Sequence, residues 1–123
     1  MNGALVLGAS LQKHITRQDT HRLLLIREGF TIPAKDLANL EAVGWTIGSA
    51  PKVKIERKYT PGFQRYKTTY TKISAIGLSE YKCALFMDVN TIATGLLDDL
   101  LSCDIFDRPE YRVAGTLDYY RKR

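Results

Sequence analysis

Two short apolar runs without polar alternation constrain this chain more than any other feature: Leu23-Leu24-Leu25-Ile26 and Cys83-Ala84-Leu85-Phe86-Met87. A strand with one face in water alternates apolar and polar residues, whereas a strand covered on both faces reads as an unbroken apolar run. Helical spacing separates the two. Leu5 and Ala9, and Leu7 and Leu11, stand four apart and predict a helix over residues 3–14, followed by a polar turn over residues 16–20. A second helix is expected to open at Thr31, a candidate N-cap, with Pro33 near its first turn, Leu37, Leu40 and Val43 on its buried side, and Gly44 as its stop. Trp45-Thr46-Ile47 reads as the next strand, and residues 49–63, with Pro51, Pro61 and Gly62, as irregular or edge structure. Residues 68–78 predict a further helix with Ile73 and Ile76 facing inward, and Leu96, Leu97, Leu100 and Leu101 a short amphipathic one. Strands alternating with helices specify an α/β fold with a mostly parallel sheet flanked by helices. Because the chain opens on a helix, the first strand of the first βα unit is expected to be lacking.

The length, 123 residues, allows one domain, taken as 1–123. Hydrophobic residues at 45% and charged residues at 25% exclude a disordered chain, and no apolar run reaches the ~20 residues that span a bilayer. Met1-Asn2-Gly3-Ala4-Leu5 lacks a basic start and cleavage pattern, so no targeting segment is read here; cytoplasm, or a Golgi lumen reached through an upstream anchor, both stay open. Cys83 and Cys103 form no CxxC and have no histidine at ligand spacing, which favours a buried small hydrophobe and a loop thiol over a disulfide. The net charge of +5 is unevenly placed: basic residues such as Lys52, Lys54, Arg57, Lys58, Arg65, Lys67 and Lys72 fill the middle, and Asp88, Asp98, Asp99, Asp104 and Asp107 follow. That order suits a site holding an anion and a cation together, and a solvated surface equally.

Asp88-Val89-Asn90 closes the second apolar run. In open parallel sheets ligands bind at the carboxyl ends of the strands, so polar residues there have the address of a site. If the local chain stays extended, Asp88 and Asn90 share a face and can offer two oxygens to Mn²⁺ or Mg²⁺ while leaving positions for phosphate oxygens. An ordinary strand-to-loop turn is the competing reading.

The run Leu78-Ser79-Glu80-Tyr81-Lys82-Cys83-Ala84-Leu85-Phe86-Met87-Asp88-Val89-Asn90-Thr91, followed by Leu97-Asp98-Asp99-Leu100, resembles glycosyltransferase family 8, which includes glycogenin. Residues 3–11 are similar to that family's first helix, and Thr71-Lys72-Ile73 to its Thr-Lys-Leu motif. The resemblance implies a partial Rossmann-like nucleotide-diphospho-sugar transferase fold lacking the first strand and the C-terminal half. It implies a retaining, hexosyl-transferring enzyme that uses a UDP-sugar donor with Mn²⁺ or Mg²⁺ on an unknown acceptor, residues 1–123 not catalysing alone. Asp88 takes the place of the first metal-motif aspartate, binding the cation and lying near the donor. Asn90 stands where the family has a second aspartate; a neutral carbonyl oxygen there weakens the hold on the cation. Lys72 matches a donor-contacting lysine, and Arg65 is a looser candidate for a second cation. No catalytic residue is identified. His14 and His21 lie too early to match the family's histidine ligand.

Asn90 also fits a noncatalytic relative of such enzymes, acting as a structural or interaction protein. The aromatics Tyr59, Phe63, Tyr66 and Tyr70 among lysines and arginines would suit a nucleic-acid-binding module, but no recognition motif accompanies them, and no nucleic-acid partner is expected. An exposed sheet edge would encourage homo-oligomers.

Overall fold

A computed structural model of the chain describes residues 2–51 and 69–107. Among them the chain forms α1 (Asn2–His14), β1 (Leu23–Arg27), α2 (Ala34–Ala42) and β2 (Thr46–Ala50), then 3-10 helices at Thr69–Gly77 and Asp104–Asp107. The two strands are parallel, with Leu23 beside Thr46 and Arg27 beside Ala50. The architecture is α/β, a parallel pair of strands with helices packed against it, compatible with part of a nucleotide-sugar transferase fold.

Side-chain spacing explains α1. Ala4, Leu7 and Leu11 fall on one stripe and are buried, and Lys13 and His14 in the last turn complement the helix dipole. Gly8 lets the helix meet the turn between α2 and β2: a Cβ there would lie 2.5 Å from Trp45 Nε1 and 2.6 Å from Val43 Cγ2. Trp45 Nε1–H donates to the Ala4 carbonyl at 2.8 Å, which locks the ring against α1.

Helix α2 starts differently from expectation. Pro33 occupies the N-cap, no side chain caps the helix, and Thr31 lies outside it. The Pro33 carbonyl takes the Asp36 and Leu37 N–H groups, and proline has no N–H of its own to satisfy there. At the other end Gly44 adopts φ +84°, with hydrogen bonds from Trp45 N–H to the Leu40 carbonyl (3.1 Å) and from Gly44 N–H to the Glu41 carbonyl (2.8 Å). This is a Schellman stop, and it turns the chain straight into β2. Leu40 is wholly buried, with Leu37 and Val43 half-buried beside it.

Four expectations fail, and for related reasons. β1 is covered less than a double-sided strand: only Leu24 of it is buried, and among the described residues β1 has β2 as its one strand neighbour. Residues 83–87 are not a strand. An apolar run does not by itself make a strand, and Leu85 and Phe86 are about half exposed (42% and 51%). Residues 69–77 form a tighter 3-10 helix that leaves Ile73 and Ile76 exposed (50% and 78%). Leu97 to Leu101 make a single turn instead of a helix, closed by hydrogen bonds from Leu100 and Leu101 N–H to the Leu97 carbonyl. Cysteine is a fifth correction: Cys83 and Cys103 form a disulfide, Cα–Cα 5.8 Å, which their spacing in sequence does not disclose.

Candidate functional site

The core gathers Leu7 and Leu11 of α1, Leu24 of β1, Leu40 of α2, Trp45 and Ala93. Ala93 belongs to the irregular segment after Asn90, and α1 fixes that segment by polar contacts. Ser10, buried, donates its hydroxyl to the Leu7 carbonyl at 2.8 Å and accepts the Ala93 N–H at 3.1 Å. Leu97 N–H reaches the His14 carbonyl at 2.9 Å. The Asp98 carboxylate accepts the Thr16 N–H at 3.0 Å, the Thr16 hydroxyl, and the Arg17 N–H at 3.4 Å. The Thr16 hydroxyl first, then its N–H, hold the Asp98 carboxyl below its ordinary range.

These contacts frame a cavity of about 760 Å³ lined by β1 and by residues 81–89, so the two apolar runs face a common space instead of pairing. The volume is in the range of small-molecule sites. The charged residues on its wall include Arg17, Asp19, Arg22, Arg27, Lys82 and Asp88. Arg17 and Asp19 pair at 2.7 Å; their mutual hydrogen bond raises the arginine and lowers the carboxyl, although such an exposed pair adds little stability. Arg22 donates to the Val43 carbonyl at 3.2 Å, and its guanidinium lies over Gly44 where a Cβ would overlap it. Lys82 pairs with Asp107 at 3.2 Å. His21 and Tyr81 meet edge to face, Nδ1 to hydroxyl 3.3 Å, and set residue 81 beside the entry to β1.

From that meeting point the chain runs six residues to Arg27 and seven to Asp88. Both line the cavity, Arg27 at the carboxyl end of β1, which is where an α/β sheet presents ligand-binding groups. Arg27 is exposed and has no ion pair among the described residues. Sequence reading passed over it, because a single arginine after an apolar run is the ordinary sign of a strand reaching water. Its place at the carboxyl edge was the signal available.

Asp88 is exposed, and its main-chain carbonyl accepts the Thr91 N–H (3.0 Å) and hydroxyl (2.6 Å). The chain therefore turns at Val89 and Asn90 instead of staying extended; Asn90 is exposed and follows Asp88 and Val89, which line the cavity. Lys72 lies in the 3-10 helix three residues ahead of Ala75, which lines the cavity. Arg65 lies outside the described residues, as do the basic and aromatic residues 52–68. Among the described residues no three His, Cys, Asp or Glu side chains cluster to cage a metal. Mg²⁺-type cations shared with a phosphate ligand need only one or two protein oxygens, so an exposed carboxylate on a cavity wall fits that arrangement and not a closed metal centre. No helix among the described residues is long and apolar enough to cross a membrane.

Over 104 residues, 85% of this chain, the sequence is 27% identical to inositol phosphorylceramide glucuronosyltransferase 1 of Arabidopsis thaliana. The chain spans 18% of the length of that relative. No protein-family model matches, and neither does any solved structure. The similarity supports a relationship to glycosyltransferases.

Proposed function

We propose that this chain forms part of the donor-binding region of a glycosyltransferase that uses a nucleotide-diphospho-sugar. The observation that carries the reading is the similarity to a glucuronosyltransferase over most of the chain, together with Asp88 standing on the wall of the cavity beside β1. A UDP-sugar is the proposed donor. The relative's name makes a UDP-hexuronate the first donor to try and an inositol phosphorylceramide the first acceptor. The resemblance to family 8 adds retention of configuration and a divalent cation.

In this arrangement Asp88, with Asn90, would hold Mn²⁺ or Mg²⁺. Such a cation, when bound, neutralises diphosphate charge as the sugar–phosphate bond breaks. Arg27, at the strand's carboxyl edge, would supply fixed positive charge to the diphosphate, and the resemblance to family 8 adds Lys72 as a second donor-binding candidate. Apolar residues of β1 and α1 on the cavity wall, Leu25 and Leu7 among them, exclude water from the bound sugar nucleotide. Replacement of a second aspartate by Asn90 favours a related noncatalytic role as the second reading.

Calorimetric titration of UDP-glucuronate and UDP-glucose with and without Mn²⁺ tests the proposal. Binding should require the cation, and Arg27→Ala should weaken it about 10–100-fold, the worth of a charge-assisted hydrogen bond. Metal-independent binding that fades steeply with salt would instead indicate nonspecific attraction to polyanions.

A further inference from the structure

The segment bearing Asp88 and Asn90 is a closed loop. Its ends meet at the Cys83–Cys103 disulfide, twenty residues apart in sequence, and Asp98 lies within it as well. No strand or helix runs between the two cysteines, so the loop's shape depends on point contacts and on its closure. The hydrogen bonds to α1 and the turn after it fall on the later half, at Ala93, Leu97 and Asp98. The earlier half meets α1 by packing, the Val89 carbonyl lying against Gly3. Cys103 holds φ +66°, a left-handed backbone that a residue other than glycine keeps only when its surroundings enforce it. Both cysteines are half-buried and line the same cavity as Asp88, so a small reductant can reach the bond.

We propose that the Cys83–Cys103 disulfide is a redox-sensitive restraint on the Asp88–Asn90 loop, keeping it in the donor-binding arrangement while oxidised and releasing it when reduced. The inference rests on the assignment of Asp88 to the donor site. The chemistry is thiol–disulfide exchange with a dithiol reductant. One thiolate of the dithiol attacks a protein sulfur, displacing the other cysteine as a thiolate, and the reductant's second thiol then resolves the mixed disulfide. Two electrons and two protons pass to the protein, giving two cysteine thiols, and the dithiol becomes a disulfide. Such a bond persists in an oxidising compartment and opens in a reducing one, so donor binding follows the compartment.

Three readouts on the full chain, before and after dithiothreitol, test this. Thiol alkylation followed by intact mass should show no modified cysteine before reduction and two after; two modified cysteines at the start would overturn the proposal. Amide exchange over residues 84–92 should quicken on reduction while α1, β1 and β2 hold their protection. Exchange that quickens everywhere would assign the bond to general stability and overturn the restraint. The dissociation constant for UDP with Mn²⁺ should rise about tenfold if the released loop is competent a tenth of the time. Undiminished UDP binding after reduction sinks this inference alone, whereas no binding by the oxidised protein sinks the donor-site assignment. The double variant Cys83→Ala/Cys103→Ala should match the reduced protein in exchange and affinity. Should it not fold, the reduced natural chain still decides.

Discussion

Gly8→Ala probes the contact that seats α1 on the turn between α2 and β2. In an exposed helix interior this change would stabilise by about 1 kcal/mol, since alanine loses less backbone freedom on folding than glycine. Here the added methyl would fall 2.5 Å from Trp45 Nε1 and 2.6 Å from Val43 Cγ2, well inside normal contact. The indole cannot give way easily: Trp45 is buried, and Nε1 donates to the Ala4 carbonyl at 2.8 Å. Overpacking of this kind costs about 1–3 kcal/mol, so the net effect is a loss of up to about 2 kcal/mol. For a domain of roughly this size each kcal/mol lowers Tm by about 4–8 °C. Trp45→Phe supplies the control, because phenylalanine removes the nitrogen and the five-membered ring edge that the methyl meets. In that background only the Val43 Cγ2 contact at 2.6 Å remains, so Gly8→Ala should cost less than it does in the natural chain. Thermal melts by circular dichroism on the four proteins of the cycle measure the difference, since Trp45 is the only tryptophan and fluorescence would be lost with it. Equal destabilisation by Gly8→Ala in both backgrounds would refute the packing argument.

Three further outcomes follow from the same geometry. Gly3→Ala would put a Cβ 2.5 Å from the Val89 carbonyl, so the Asp88–Asn90 turn must shift; UDP–Mn²⁺ affinity should fall while α1 keeps its helical circular dichroism signal, and unchanged affinity would detach that turn from the site. Asp98 is held below its ordinary range by hydrogen bonds from Thr16, so its contribution is present above the unfolded pKa and lost as pH falls through the lower folded one; Tm should drop as acid is added below about pH 4, and less so in Asp98→Asn. Asn90→Asp restores a second charge to the turn and should tighten Mn²⁺ in an equilibrium titration, with no change removing position 90 from the proposed ligand set.

The sequence made α1, β1, α2 and β2 legible because each carries its own signal: the Leu7–Leu11 spacing, the apolar run at Leu23, the glycine stop at Gly44. Residues 83–87 carried an equally clear apolar run and still form no strand. Strand formation depends on a neighbour, and the neighbour is not encoded in the run itself. For the same reason Ile73 and Ile76 look inward by spacing but lie exposed. Pro33 displaced Thr31 as the helix start because its fixed φ already suits a helix entry. The disulfide was hidden since two cysteines twenty apart do not reveal whether a loop folds back. Of the candidate site, Asp88 was legible from its position after an apolar run and lies on the cavity wall. Arg27 was not, as it joins the same wall only through the tertiary fold.

The most direct measurement is an Mn²⁺ titration in the presence of UDP, followed by electron paramagnetic resonance of the free ion, on the natural chain and on Asp88→Ala. The account predicts that the natural chain takes up Mn²⁺ beyond what UDP alone binds and that Asp88→Ala does not. Equal uptake by both proteins would contradict the placement of the donor's cation at Asp88.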